Sequence, residues 1–173
     1  MSDERAELDA TAILDALNRH GVEYVVIGAW AVEAQGIVRS NPTRDVDVTP
    51  RRTAVNLRRL SDTLRELGAR IRTVGATEGL PFDHDGSSLA RSEMWNLICP
   101  AGEFDISFAP SGFGRGYDDL AANALLVELP GGLRVRVAAV RDVIESKRAA
   151  GREKDITALP EIISEARRLG LLE

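Results

Sequence analysis

Apolar positions along the chain alternate between a helical spacing and a strand spacing. Over residues 4–20, Leu8, Ala12, Leu14 and Leu17 recur at helical intervals until Gly21 ends the pattern. EYVVIG (23–28) is a compact β-branched run and predicts a buried strand. A short helix over 29–36, a loop over 37–43 and a strand over 44–50 stopped by Pro50 follow. Val55, Leu57, Leu60, Leu64 and Leu67 form one stripe, which predicts an amphipathic helix over 53–67, and 69–74 reads as a strand. Residues 75–92 are rich in Gly and Asp and read as one long loop. MWNLICP and EFDISFAP predict a hairpin turning at Ala101-Gly102. After a glycine-rich connection over 111–120, residues 124–140 predict a second hairpin around Pro130-Gly131-Gly132. Helices over 139–150 and 154–169 close the pattern, with Pro160 expected to kink the last one or mark its true start. This order predicts an α/β (α+β) fold, a mixed sheet with flanking helices. With 173 residues, no repeat and no separating linker, the expectation is a single domain spanning 1–173. Residues 139–173 would form a small C-terminal helical part packed on it.

The strand pattern raises a chemical question in NPTRDVDVTP. Side chains alternate across a strand, so Val46 and Val48 face the core while Asp45 and Asp47 share the other face. A short D-x-D is also what an ordinary wet strand face looks like. Two carboxylates on a partly buried face need a cation, a lysine or water as partner. Asp105 in EFDISF lies on another predicted strand, with Glu103 on its face. A third carboxylate beside the first two would complete an oxygen site for a hard cation such as Mg²⁺. In VVIGAWA a strand meets Gly28 and then a helix start, a junction whose free N–H groups suit a phosphate and which tight packing alone also produces.

Charge and composition narrow the partners. The formal net charge of −5 is not that of an indiscriminate nucleic-acid binder. A single cysteine, Cys99, excludes an internal disulfide, and with two histidines it makes a Cys/His zinc site improbable. The charged, helix-prone start and the absence of an apolar run of ~18 residues point to a cytoplasmic protein with no membrane partner. Of 22 basic residues only Lys147 and Lys154 are lysines, so these two stand out on the predicted C-terminal helices. Arg51, Arg52, Arg58 and Arg59 read as a solvated helix face. There is no G-x-x-x-x-G-K-[ST] loop and no G-x-S-x-G elbow around Ser87 and Ser88. His84 with Asp83 and Asp85 reads as surface loop, and Trp30 and Trp95 as core.

Taken together, strand-Gly-helix, then D-x-D on a strand, then a lone acid on a later strand, then a helical lysine form a specific order. IGAWAVEAQGIVRSNPTRDVDV resembles the signature of the nucleotidyltransferase superfamily that includes DNA polymerase beta. It is most similar to bacterial minimal nucleotidyltransferases related to abortive-infection and type IV toxin–antitoxin toxins. The tail VAAVRDVIESKRAAGREKDITALPEIISEARRLGLL resembles the end of that group. The resemblance implies that Asp45 and Asp47 bind Mg²⁺ or Mn²⁺ ions that hold the NTP phosphates. Asp105 would be the third metal carboxylate and help activate the acceptor hydroxyl. Gly28 and the Ala29 amide would meet the triphosphate. Lys147 and Lys154 would touch phosphate, with Asp155 orienting Lys154 or capping the last helix. The chain departs from the pattern at Ala29, where Gly or Ser is usual, and loses a serine hydroxyl that can bond a phosphate oxygen. The implied activity is transfer of an NMP to a hydroxyl of a tRNA, a protein or a small molecule, in a toxin that pairs with an antitoxin protein. An aminoglycoside-like drug as acceptor, or a catalytically silent nucleotide-fold module, are the competing readings.

Overall fold

The structure, a computed structural model, describes residues 7–173. The element order is α1 (Ala10–Arg19), β1 (Tyr24–Ile27), α2 (Gly28–Glu33), β2 (Asp45–Pro50), α3 (Ala54–Leu67), β3 (Arg70–Thr73), β4 (Ala76–Leu80), α4 (Gly86–Leu89), β5 (Met94–Cys99) and β6 (Gly102–Ser107). It continues with α5 (Tyr117–Ala121), β7 (Leu125–Glu128), β8 (Arg134–Val137), α6 (Val140–Ala150) and α7 (Glu153–Arg168). The strands form one eight-stranded sheet in the order β4-β3-β5-β6-β2-β1-β8-β7. Pairings β2–β6 and β1–β8 are parallel and the rest antiparallel, so the sheet is mixed, as the pattern predicts.

The helices begin where side chains supply caps. Asp9 accepts from the Ala12 amide, so α1 starts at Ala10 rather than inside 4–9; residues 4–6 of that expectation lie outside the described residues. Thr53 caps α3, which closes on Gly68 in the left-handed conformation. Asn56, buried in the first turn of α3, donates to the Glu23 and Arg51 carbonyls and accepts from the Glu23 amide. It thereby ties α3 to the start of β1 and the end of β2. The stretch 75–92 is not one loop. It holds β4, paired antiparallel with β3, and the single-turn helix α4, opened by a capping box between Asp85 and Ser88. The connection 111–120 likewise holds the start of α5. The first hairpin turns at Pro100-Ala101, with Gly102 already paired to Cys99. Pro160 does not mark the start of α7, which runs as one helix from Glu153.

One core joins Ile13, Leu14 and Leu17 of α1, Leu57, Leu60 and Leu64 of α3, and Val46, Val48, Phe104 and Ile106 of β2 and β6. Those four strand residues are at most 1% exposed, which commits their neighbours Asp45, Asp47, Glu103 and Asp105 to the other face. Helices α6 and α7 pack on each other, and α6 packs on α2, which brings the C-terminal lysines toward that polar face. Truncating Phe104 tests how firmly β6 is anchored. Phe104→Ala should cost ~3–5 kcal/mol of unfolding free energy in urea titrations, with the slope unchanged.

Candidate active site

The polar face of the central strands carries the carboxylates. Parallel pairing of β2 with β6 sets Asp45 beside Glu103 and Asp47 beside Asp105. Asp45, Asp47 and Asp105 each place a carboxylate oxygen within 4.8 Å of the others, and all three are half-buried. Thr43 donates from Oγ1 to Asp45 Oδ1 at 2.8 Å, and its own amide donates to Glu33 Oε1 at 3.0 Å. Glu33 is pushed up by its burial, against the pull of that amide.

Three carboxylates this close repel one another in a partly desolvated setting. Asp47 bears the consequence. Burial first, then the charges of Asp45 and Asp105, push its carboxyl up to about 7, with Lys154 and Lys147 pulling the other way. Burial also raises Asp105, and the Arg72 guanidinium opposes that rise. All three donors are hard oxygens, which is the ligand chemistry of Mg²⁺ or Mn²⁺. The backbone adds a matching feature. Gly28 sits at φ +69, and a Cβ there would stand 2.5 Å from Asp47 Oδ2. The strand-to-helix junction therefore approaches the carboxylates more closely than any side chain allows. These residues fit a divalent cation, which would supply charge neutralisation and Lewis acidity at bound phosphate.

A cavity of about 1340 Å³ opens over the cluster. Gly28, Ala29, Asp45, Asp47, Asp105, Lys147 and Lys154 all line it, so the residues expected to bind metal and nucleotide meet in one place. The two lysines differ in setting. Lys147 is 13% exposed and donates from Nζ to Asp155 Oδ1 at 3.3 Å. Asp155, itself 3% exposed, also accepts from Arg152 Nε at 2.6 Å. Burial acts upward on Asp155, but the Arg152 hydrogen bond and the Lys147 charge hold its carboxyl below the ordinary value. The expectation that Asp155 orients Lys154 is thus corrected. Its two partners are Lys147, one helix earlier, and Arg152, while Lys154 is an exposed side chain on the cavity lining.

The amino-acid pattern gave no sign of Arg72. From β3 it donates to Asp105 Oδ1 at 2.8 Å and lies 3.6 Å from Glu103 Oε2. Alternation within ARIRT places Arg70 and Arg72 on one face, but nothing local shows that this face continues the one bearing Asp105. The remaining polar and aromatic candidates lie elsewhere. His84 Nδ1 meets Ser61 Oγ at 2.7 Å, and Asp85 is a helix cap. Trp95 donates to the Leu89 carbonyl and stacks on Phe82, and Trp30 packs against the core. Among the described residues, Asp45, Asp47 and Asp105 are the one group of metal-ligating side chains so converged. No helix among them is long and apolar enough to cross a membrane.

No protein-family model matches the chain, and no curated protein matches it. Solved structures do. The Thermotoga maritima protein TM1012, assigned as a nucleotidyltransferase, is similar at TM-score 0.54 and 17% identity, covering 90% of this chain and 91% of that one. The lincosamide antibiotic adenylyltransferase LnuA, bound to lincomycin, is similar at TM-score 0.59 and 15% identity, covering 90% and 94%. ANT(2'')-Ia, in complex with adenylyl-2''-tobramycin, is similar at TM-score 0.52 and 15% identity, covering 94% and 90%. The fold is that of the nucleotidyltransferases.

The raised Asp47 carboxyl has a consequence for stability. Below its unfolded-state value of about 4 both states are protonated there, so the group is neutral to stability. Between about 4 and the raised value only the folded state keeps the proton, so metal-free stability falls as pH climbs through that window. Asp47→Asn should therefore raise the melting temperature of the metal-free protein at pH 8 by a few degrees and leave it unchanged at pH 4. Melting curves with EDTA at both pH values check this. Gly28→Ala, which crowds Asp47 and strains the backbone, should weaken Mn²⁺ binding at least tenfold in a calorimetric titration.

Proposed function

We propose that the protein is a metal-dependent nucleotidyltransferase that moves an NMP from an NTP to a hydroxyl and releases pyrophosphate. The observation that carries this reading is the convergence of Asp45, Asp47 and Asp105 within 4.8 Å of one another, beside the Gly28 turn. In this reading Asp45 and Asp47 hold Mg²⁺, or Mn²⁺ in its place, against the triphosphate. On the same reading Asp105 shares the catalytic ion and helps to draw the proton from the acceptor hydroxyl. The Gly28 and Ala29 backbone meets the phosphates, and the alanine contributes its N–H alone. Lys147, held in place by Asp155, and the exposed Lys154 offset phosphate charge across the cavity. Rate enhancement comes from in-line positioning and from neutralising charge on the transferring phosphoryl group.

Two acceptor classes have specific support. The similarity to LnuA and to ANT(2'')-Ia, bound to lincomycin and to an adenylylated tobramycin, favours the hydroxyl of a drug-like small molecule. The motif resemblance to type IV toxins favours a tRNA or protein hydroxyl, a cytoplasmic setting and an antitoxin partner. Arg39 and Arg44 line the cavity on the loop before β2, and Arg39 Nε lacks a hydrogen-bond partner, which suits an anionic acceptor.

The test is incubation of the pure protein with each α-labelled NTP and Mg²⁺, in parallel with total RNA, a lincosamide and an aminoglycoside. Label should enter one acceptor class, and Asp47→Asn should lower that transfer by ~10³-fold or more while the fold persists. Transfer by Asp47→Asn near the wild-type rate would contradict the assignment. Absence of NTP binding with every base would point instead to a silent module.

A further inference from the structure

The carboxylate cluster is continued across the sheet by a row of polar side chains. Asp47 pairs with Asp105 between β2 and β6, and Asp105 pairs with Asn96 between β6 and β5. On the far side of β5, Arg70 faces Ile98 and Ile71 faces Leu97, so the register carried one residue further sets Arg72 beside Asn96. The row therefore reads Asp47, Asp105, Asn96, Arg72 over four strands, all on the cavity face.

Arg72 is long enough to reach back over Asn96. Its Nη2 takes Asp105 Oδ1 at 2.8 Å, and its Nη1 donates to the Leu97 carbonyl at 3.3 Å. The same guanidinium stands 3.6 Å from Glu103 Oε2. A planar fork held by a backbone carbonyl and two carboxylates has little rotational freedom. It pins one oxygen of Asp105 from the β5 side and leaves Oδ2 without the guanidinium. Arg70, two residues earlier on the same strand, behaves differently. It donates from Nε to the Gly79 carbonyl and lies outside the cavity lining, a contact that serves the β3–β4 hairpin alone.

We propose that Arg72 is the positioning residue of the site: it sets the orientation in which the Asp105 carboxylate meets the ions and the acceptor hydroxyl. The inference rests on the transferase reading for what Asp105 does, but the orientation itself is a property of the protein alone. Charge and orientation pull in opposite directions when Arg72 is removed. A cation lost beside three carboxylates strengthens their attraction for a divalent ion. An unpinned Asp105 loses the alignment that transfer needs, and a misplacement of about 1 Å can cost ~10²-fold in rate.

Two measurements test this. In crystal structures without nucleotide, the wild-type Asp105 carboxylate should hold one orientation against Arg72, and in Arg72→Ala it should turn away or split. In kinetics, Arg72→Ala should lower kcat by about 10–100-fold with the NTP KM within about threefold. Mn²⁺ binding, followed by EPR, should hold or tighten. Arg72→Lys should recover part of kcat, and Arg70→Ala should leave kcat within about twofold. An unchanged Asp105 orientation in Arg72→Ala, an unchanged kcat, or kcat and Mn²⁺ affinity falling together would each overturn the proposal. A wild type that transfers no nucleotide to any acceptor would overturn the functional reading, and the Asp105 orientation would then decide the role of Arg72 alone.

Discussion

The parallel pairing of β2 with β6 forces like charges together. Asp47 cannot move away from Asp105 without carrying Val46 and Val48 out of the core, and Asp105 is locked in turn by Phe104 and Ile106. A one-residue slip of either strand would bury two carboxylates and expose two large apolar side chains. The hydrophobic side of the sheet thus sustains an electrostatic cost on the polar side. Burial and then the charges of Asp45 and Asp105 raise Asp47, and a divalent charge held by the cluster would relieve that repulsion.

The surrounding elements distribute positive charge around that cluster without quenching it. Arg72 engages Asp105 from one side, at hydrogen-bond distance. Lys147 stands across the cavity and is committed to Asp155, so its charge acts on Asp47 through space rather than by contact. Asp155 is itself shared with Arg152 in the first turn of α7, where a carboxylate is also favoured by the helix N-terminus. The result leaves Asp45 and Asp47 facing open cavity, with counter-charges held at a distance on separate, anchored elements.

The apolar stripe of α3 and the D-x-D face were legible because each is a local matter, set by the period of one chain segment. The start of α1 was not, because the Asp9 cap that opens it lies inside the apolar pattern. The turn of the first hairpin was displaced by one residue because Gly102, at φ +120, pairs as a strand residue despite its turn-like identity. Strand β4 and helix α4 were illegible in GATEGLPFDHDGSS. The first is specified by its ladder to β3 and the second by a single capping box, and neither leaves an apolar period. Asp155 has the same character. A carboxylate beside a lysine in sequence chose a lysine eight positions away, because α6 and α7 pack there.

By itself the amino-acid sequence determined which residues share a face: Asp45 with Asp47, Glu103 with Asp105, Arg70 with Arg72. That much follows from the period of the backbone and from the demand that valine, isoleucine and phenylalanine leave water. Only the tertiary structure decided that these three faces are one. The order β3-β5-β6-β2 is a choice of sheet partners between segments far apart along the chain, made by the packing of the whole core, and it is that choice that assembles the cluster and brings Arg72 to it.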